Sequence, residues 1–347
     1  VLRRRPFRPE IRSVVPMLAG LLAGTPLGWT SPAADASAAA LPAVVVAEAG
    51  AQEPDEPPRL FPDRTSFPPL LAAPREVSLR GGFVVANRDV EPGADGPEGF
   101  GDFGGSNIEA EVALGHRLGV FRIRRETSRA PEVTLGFEVG VFTRFFMEAP
   151  ERDLINADFR VGAPLAARWG AWEGRLTLLH VSSHFGDDFV NRFGPPPGQT
   201  TRDGFELVVA RRLVGLAPAL RVYGAGEWNF HVNRGVERTA GRLGVEWDGR
   251  PGAGADGAPG GGNPAGPSPD RDGDGDGGVV TWPYAGTEIR VTSLGEGPAA
   301  TGVGGLGLRV RETILRFEVR AHIGLSPIGK LGFRDERFLG VALRVEP

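Results

Sequence analysis

Residues 154–169 read "LINADFRVGAPLAARW", and the parity of this stretch decides the fold. Ile155, Ala157, Phe159, Val161, Ala163 and Leu165 fall on one side of an extended chain. Asn156, Asp158, Arg160 and Arg168 fall on the other. Successive side chains of a strand face opposite ways, so this period of two marks a strand with one apolar and one polar face. The pattern recurs. In 133–147, Val133, Leu135, Phe137, Val139 and Val141 oppose Thr134, Glu138 and Arg144. In 219–231, Leu220, Val222, Trp228 and Phe230 oppose Arg221, Tyr223, Glu227 and Asn229. In 314–323, Leu315, Phe317, Val319, Ala321 and Ile323 oppose Arg316, Glu318, Arg320 and His322. Residues 338–346 repeat it, with Leu339, Val341, Leu343 and Val345 against Gly340, Ala342 and Arg344.

A soluble sandwich also alternates. Here, however, the polar face carries both signs of charge along strands of about 9–11 residues, the length that crosses a bilayer. That combination fits an all-β, transmembrane antiparallel β-barrel: apolar toward lipid, polar toward the lumen, closed so that no backbone group is left unpaired. About twelve strands are expected, starting near Val77, Asn107, Val133, Leu154, Trp172, Asp203, Ala219, Thr239, Val279, Thr301, Ile314 and Arg337. An even count puts the N- and C-termini on one side, expected to be the periplasm. Turn lengths agree with that register, apart from the long glycine-rich stretch 249–278, which falls at the short-turn end. Short turns at 169–171, 213–218 and 309–312 fall at one end, and longer links at 88–106, 185–203 and 325–336 at the other.

The segments outside the barrel have their own composition. Residues 1–12 are basic, 13–29 are apolar but broken by Pro16 and Pro26, and 31–43 are rich in small residues. This is the layout of a cleaved signal peptide, expected over residues 1–42. Residues 43–76 are Pro-rich and read as an extended periplasmic arm that could plug the barrel mouth, because proline fixes φ and removes a donor. The barrel is expected over 77–347, interrupted by a disordered Gly/Asp-rich insertion at 249–278. A net charge of −4 and a pI near 5.9 offer nothing to nucleic acid, and zero cysteines exclude disulfides and thiolate metal sites. The expected location is the bacterial outer membrane, and the expected partners are membrane lipids and the outer-membrane assembly machinery. The final "VALRVEP" lacks the terminal aromatic residue that this machinery reads in outer-membrane barrels generally.

Two groups of residues suggest chemistry. Residues 178–188, "LLHVSSHFGDD", hold two of the chain's five histidines. His180 and Ser182 share the parity of Leu176 and Leu178, so they continue the lipid-facing row at the strand's outer end. A histidine beside a serine hydroxyl is the minimal general base and nucleophile. Asp203, with the parity of Phe205 and Leu207 on the next strand, is the candidate to orient the imidazole, with Asn191 second. His184 to Asp188 are expected to enter an exposed loop. The bland reading of His180 and Ser182 is amphipathic residues at a membrane interface. Separately, Asp270, Asp272, Asp274 and Asp276 resemble the first half of a calcium loop. Position 12 would be Thr281 rather than a bidentate glutamate, so a solvated acidic linker is expected and calcium is at most weakly held. No other cofactor is expected. The inward charges, among them Glu138, Arg144, Asp158, Arg160, Glu173, Arg175, Arg221, Glu227, Arg242, Glu246, Arg316, Glu318 and Arg320, read as a salt-bridged filling rather than a small selective pore.

Several stretches resemble an uncharacterised bacterial family, domain of unknown function 1207. They are "LFPDRTSFPPLLAAPRE" (60–76), "DLINADFRVGAPLAARWGAWEGRLTLLHVSSHFGDDFV" (153–190), "LRVYGAGEW" (220–228) and "SPIGKLGFRDERFLGVAL" (326–343). The resemblance implies an exported outer-membrane barrel of unknown activity and supplies no catalytic residues. Locally, His180 and Ser182 are similar to the H-x-S pair that outer-membrane phospholipase A and lipid A deacylase carry on a lipid-facing strand. In those families asparagine follows the serine, where this chain has Ser183. The likeness implies a lipid-ester hydrolase with Ser182 as nucleophile and His180 as base; the other expectations are a narrow solute channel or a structural, adhesive barrel.

Overall fold

A computed structural model describes residues 58–62, 65–88, 105–123, 131–193, 200–213, 219–233, 236–251, 279–293, 297–311, 313–331 and 334–346. The expected signal peptide, residues 43–57 of the arm, and all of the 249–278 insertion beyond Pro251 lie outside these residues, as do the four aspartates from Asp270 to Asp276.

Twelve strands form the wall: β2 (Leu79–Arg88), β3 (Gly105–Ile123), β4 (Glu132–Phe146), β5 (Leu154–Trp169), β6 (Trp172–Phe185), β7 (Thr200–Arg212), β8 (Leu220–Val232), β9 (Thr239–Asp248), β10 (Val280–Thr292), β11 (Ala299–Val310), β12 (Thr313–Leu325) and β13 (Asp335–Glu346). Each pairs antiparallel with its neighbours in sequence, and β13 pairs with β2, so the sheet closes on itself. A two-residue β1 (Arg59–Leu60) pairs with β3 where β3 overhangs the start of β2. Closure leaves no long edge of unpaired backbone groups, the condition for strands to cross hydrocarbon. Among the described residues no helix is long and apolar enough to cross a membrane.

The alternation works as predicted. Phe137, Val161, Leu178, Leu207, Leu243, Phe317 and Leu339 stand exposed on the outside, while Glu138, Arg160, Arg175, Glu246, Arg316 and Glu318 are buried inside. The links fall into two sets. The start of β2, the end of β13 and the links 124–131, 170–171, 213–219, 249–279 and 311–312 share one end, here the terminal end. The links 89–104, 147–153, 186–199, 233–238, 293–298 and 326–334 share the other, the far end. The tightest hairpin joins Trp169 to its partner Trp172 across Gly170 and Ala171. Gly170 has φ +57°, the left-handed value that the first central residue of a primed hairpin turn needs.

The lumen is filled. Glu138 accepts from Arg117 (2.9 Å) and Arg160 (2.8 Å), and Glu206 from Arg160 (3.3 Å), Arg175 (3.2 Å) and Arg242 (2.7 Å). Into this network runs the second half of the predicted arm. Phe67, Leu70 and Ala73 pack against Ala166, Val208, Ala210 and Tyr223; Leu71 and Ala72 pack against Tyr284 and Val303. The backbone carbonyls of the segment are bound by wall arginines: Pro69 by Arg221 (2.8 Å), Leu71 by Arg344 (3.1 Å) and Pro74 by Arg80 (3.0 Å). Glu76 then forms a bidentate pair with Arg175 (2.8 and 3.1 Å) and a bond from Arg117 (3.1 Å). Residues 65–76 are therefore an internal plug, not an arm lying at the mouth.

The far end is capped separately. A short helix α1 (Asp187–Phe193) follows β6, and a 3-10 turn (Gly329–Leu331) follows β12. Phe189, Ile328 and Leu331 meet Ile155 in one buried cluster. Ile155 was expected on the lipid side. The pairing of β4 with β5 shifts between Arg144 and Phe145, opposite Ile155, and the break in alternation leaves Ile155 under the cap. Between plug and cap remains a cavity of about 60 Å³ lined by Arg75, Glu206, Arg242, Glu288, His322 and Pro327, among others.

Candidate functional site

The outward face of β6, β7 and β8 near the far end carries the polar groups that the lumen does not use. On β6, His180 is exposed and Ser182 half-buried, while their neighbours Val181 and Ser183 turn inward and are buried. The rows Leu176, Leu178, His180 and Ser182 thus continue one face, as parity predicted. The ladder then sets their partners. His180 stands across from Asp203, and Ser182 across from Thr201. Directly paired residues of neighbouring strands share a face and come within about 5 Å at Cβ.

Two short contacts organise the group. His180 Nδ1 lies 2.7 Å from Asp203 Oδ1. A carboxylate only accepts, so this bond places a proton on Nδ1, and in the neutral imidazole the lone pair is then on Nε2. Ser182 Oγ lies 2.7 Å from His184 Nε2. The structure therefore joins His180 to its predicted orienting carboxylate, but it gives the serine hydroxyl to His184 rather than to His180. His184 belongs to β6, which runs to Phe185, and not to an exposed loop. Its ring also meets Phe159 edge-on at 6.0 Å. Ser182 thus has an imidazole two residues before it and another two residues after it, each with its Cα about 6.6 Å away along the strand.

Asp203 is also paired with His231 on β8, next to a register shift at Asp203/Gly204. His231 is exposed, so three of the five histidines of the chain lie around Asp203 and Ser182. Neither the partnership of His184 nor the approach of His231 was read from the sequence. The first shares the parity of Ser182 and could have been found; the second depends on the register of β7 and β8. Toward the terminal end the cluster gives way to aromatic rings, with Phe205 stacked on Trp228 (6.3 Å between centroids) and Phe230 at 5.5 Å from Phe205.

Asn191 sits exposed on α1 and has no part in the pair of contacts. That helix is tied down by Arg192, whose Nε donates to Asp153 Oδ2 at 2.6 Å. Among the described residues no three His, Asp or Glu side chains are arranged to hold a metal ion.

Other outward positions are mostly apolar, among them Val85, Val291, Ile323 and Leu339, but not all: His116 on β3 stands outward in the same pairing row as His180, through Val139 and Val161, and Asn87 and Arg337 stand outward across from one another on β2 and β13.

These features define the class: a closed, plugged, membrane-spanning β-barrel with a histidine, serine and aspartate cluster on its outer wall. Within that class, residues 47–248 match the family model described as "Protein of unknown function (DUF1207)", and the chain belongs to that family. No curated protein matches the chain. Among solved structures, it is similar to outer membrane phospholipase A from Escherichia coli, at 9% identity over 78% of this chain and 90% of that one, with a TM-score of 0.45. The calcium-bound outer membrane phospholipase dimer from Salmonella typhi also matches, at 9% identity over 78% of this chain and 90% of that one, with a TM-score of 0.47. LpxR from Salmonella typhimurium matches at 10% identity over 76% of this chain and 99% of that one, with a TM-score of 0.35. These likenesses concern the course of the chain and carry no functional argument.

Proposed function

We propose that this protein is an outer-membrane barrel whose outer wall hydrolyses lipid esters. In this reading the short-turn, terminal end faces the periplasm, and the cluster on β6 to β8 meets the outer leaflet. Ser182 is the nucleophile, His180 the general base and Asp203 the group that orients it. The observation that carries the reading is the 2.7 Å bond between His180 Nδ1 and Asp203 Oδ1, one step along the strand from Ser182 and on its face. In the neutral imidazole that bond supports the tautomer a base needs, with the lone pair on Nε2.

The chemistry is that of acyl transfer. Ser182 Oγ attacks the ester carbonyl carbon, and its proton passes to His180 Nε2. Collapse of the tetrahedral intermediate breaks the bond to the leaving alcohol, which takes that proton. Water then attacks the acyl-serine by the same route, releasing the fatty acid and restoring the hydroxyl. A strand side chain facing lipid meets acyl esters where headgroups begin, without any passage through the barrel. The plugged lumen favours this reading over a solute channel.

The test uses refolded full-length protein and a diacyl phosphatidylcholine in mixed micelles, with fatty acid titrated. Release is expected from the native sequence, none from Ser182→Ala, and a rate lower by orders of magnitude from Asp203→Asn. Release that survives Ser182→Ala unchanged would sink the assignment.

A further inference from the structure

A serine mechanism on a β-strand lacks a common provision. Oxyanions are usually held by preorganised hydrogen-bond donors, often backbone N–H groups in a loop or at a helix start. Here β6 is engaged on both sides. Ser182 pairs with Phe159 of β5 and Thr201 of β7, and Ser183 pairs with Asp158 and Thr200. The backbone groups flanking the nucleophile belong to the ladder, which turns attention to side-chain donors on the same face. His184 Nε2 is 2.7 Å from Ser182 Oγ, on the face where a lipid ester would lie. A serine hydroxyl can accept one bond while donating another.

We propose that His184 is a catalytic residue of this site, its Nε2–H donating to Ser182 Oγ at rest and to the oxyanion in the transition state. The inference rests on the hydrolase reading and adds a second imidazole with a different task. His180, its Nδ1 proton held by Asp203, takes the serine proton on Nε2. His184 keeps its Nε2 proton throughout and transfers nothing. When Oγ bonds to the carbonyl carbon, the oxyanion arises two bonds from Oγ, within reach of the donor already there. Phe159 against the His184 ring restricts where that ring can turn. Thr201, across from Ser182, carries the competing hydroxyl donor.

The experiment compares the refolded native protein with His184→Phe, His184→Gln, His180→Gln and Thr201→Val, each shown folded by its heat-modifiable migration on a gel. Hydrolysis of the same phosphatidylcholine micelles is followed from pH 5 to 9. His184→Phe is expected to lower kcat by about 100- to 1,000-fold with KM little changed, the usual loss of one oxyanion donor. His184→Gln, which keeps an N–H, recovers part of that loss. The acid limb of the kcat/KM profile persists in both, because it belongs to His180, and disappears in His180→Gln. Loss of the acid limb in His184→Gln would make His184 the base and overturn the proposal. So would unchanged kcat in His184→Phe, or a loss confined to Thr201→Val. An inactive native protein removes the hydrolase reading itself; an active one indifferent to His184 removes this inference alone.

Discussion

Replacing Glu76 with alanine tests whether the plug is held by charge as well as by packing. Its carboxylate is 3% exposed and makes two bonds to Arg175, at 2.8 and 3.1 Å, and one to Arg117 at 3.1 Å. Breaking a buried pair from one side costs about 3–5 kcal/mol, because a charge stays buried without its partner. Here each guanidinium keeps something. Arg175 retains Glu206 at 3.2 Å and lies over the Phe67 ring at 4.8 Å, and Arg117 retains Glu138 at 2.8 Å. The expected loss is therefore at the lower end, about 3 kcal/mol, or more than a hundredfold in the folding equilibrium. Equilibrium unfolding in urea, with the barrel refolded in detergent and tryptophan fluorescence as the signal, measures it as a lower midpoint at unchanged slope. The double variant Glu76→Leu with Arg175→Met removes both charges and is expected to recover much of the loss. A midpoint for Glu76→Ala equal to that of the native protein would refute the reasoning, and so would a double variant less stable than the single one.

Two further outcomes follow from the same lumen. The native barrel is expected to be silent in planar bilayers, and deletion of residues 65–76 to produce steady conductance, since Phe67, Leu70 and Leu71 then no longer fill the interior; a conducting native protein contradicts the plug. Acid stability should depend on Glu237 in the link between β8 and β9. Burial alone would raise its pKa, but Arg202 and Arg290 outweigh that and hold it at about 2, below its ordinary 4.5. The unfolded chain then binds more protons than the native one between these values. Glu237 stabilises fully above about pH 4.5, and the contribution fades as pH falls toward about 2, at up to roughly 1.4 kcal/mol per pH unit. In Glu237→Gln this part of the acid titration of stability should vanish; identical profiles for the two proteins would count against the assignment.

The wall was legible because its physics is local. Alternation between hydrocarbon and lumen is imposed on every strand, so the twelve strand starts fall within three residues of those read from parity, as at Leu154, Trp172 and Thr239. What was not legible depends on long-range closure. The stretch 65–74, "TSFPPLLAAP", reads as an extended proline-rich arm, yet it is uncharged and holds Phe67, Leu70 and Leu71, and a closed barrel offers those side chains a dry place inside. The inward arginines gave a clue, since each needs an acceptor and the wall alone does not supply them all; the carbonyls of Pro69, Leu71 and Pro74 do. Ile155 was misplaced because a register shift inverts parity without changing composition. The helix α1 was hidden in a link of mixed polarity, where Phe189, Val190 and Phe193 alternate with charged and polar residues too briefly to set a period.

The candidate site was half legible for a related reason. Parity assigned His180, Ser182 and Asp203 to one face, and pairing β6 with β7 put His180 on Asp203. Which histidine bonds the serine is a question of rotamers, and no pattern in sequence answers it. A polar side chain facing a bilayer is costly, least so near the interface; His116, Asn87 and Arg337 also stand outward, among apolar residues such as Val85, Val291, Ile323 and Leu339. The lumen could host imidazoles cheaply, and His322 is held there by Thr301 at 2.9 Å and the carbonyl of Leu325 at 3.0 Å. Yet His180, Ser182, His184, Asp203 and His231 sit outside on three adjacent strands. They contribute nothing to filling the barrel and weaken its apolar belt there. The contacts at 2.7 Å between His180 and Asp203 and between Ser182 and His184 are what the proposed chemistry on this wall is built on.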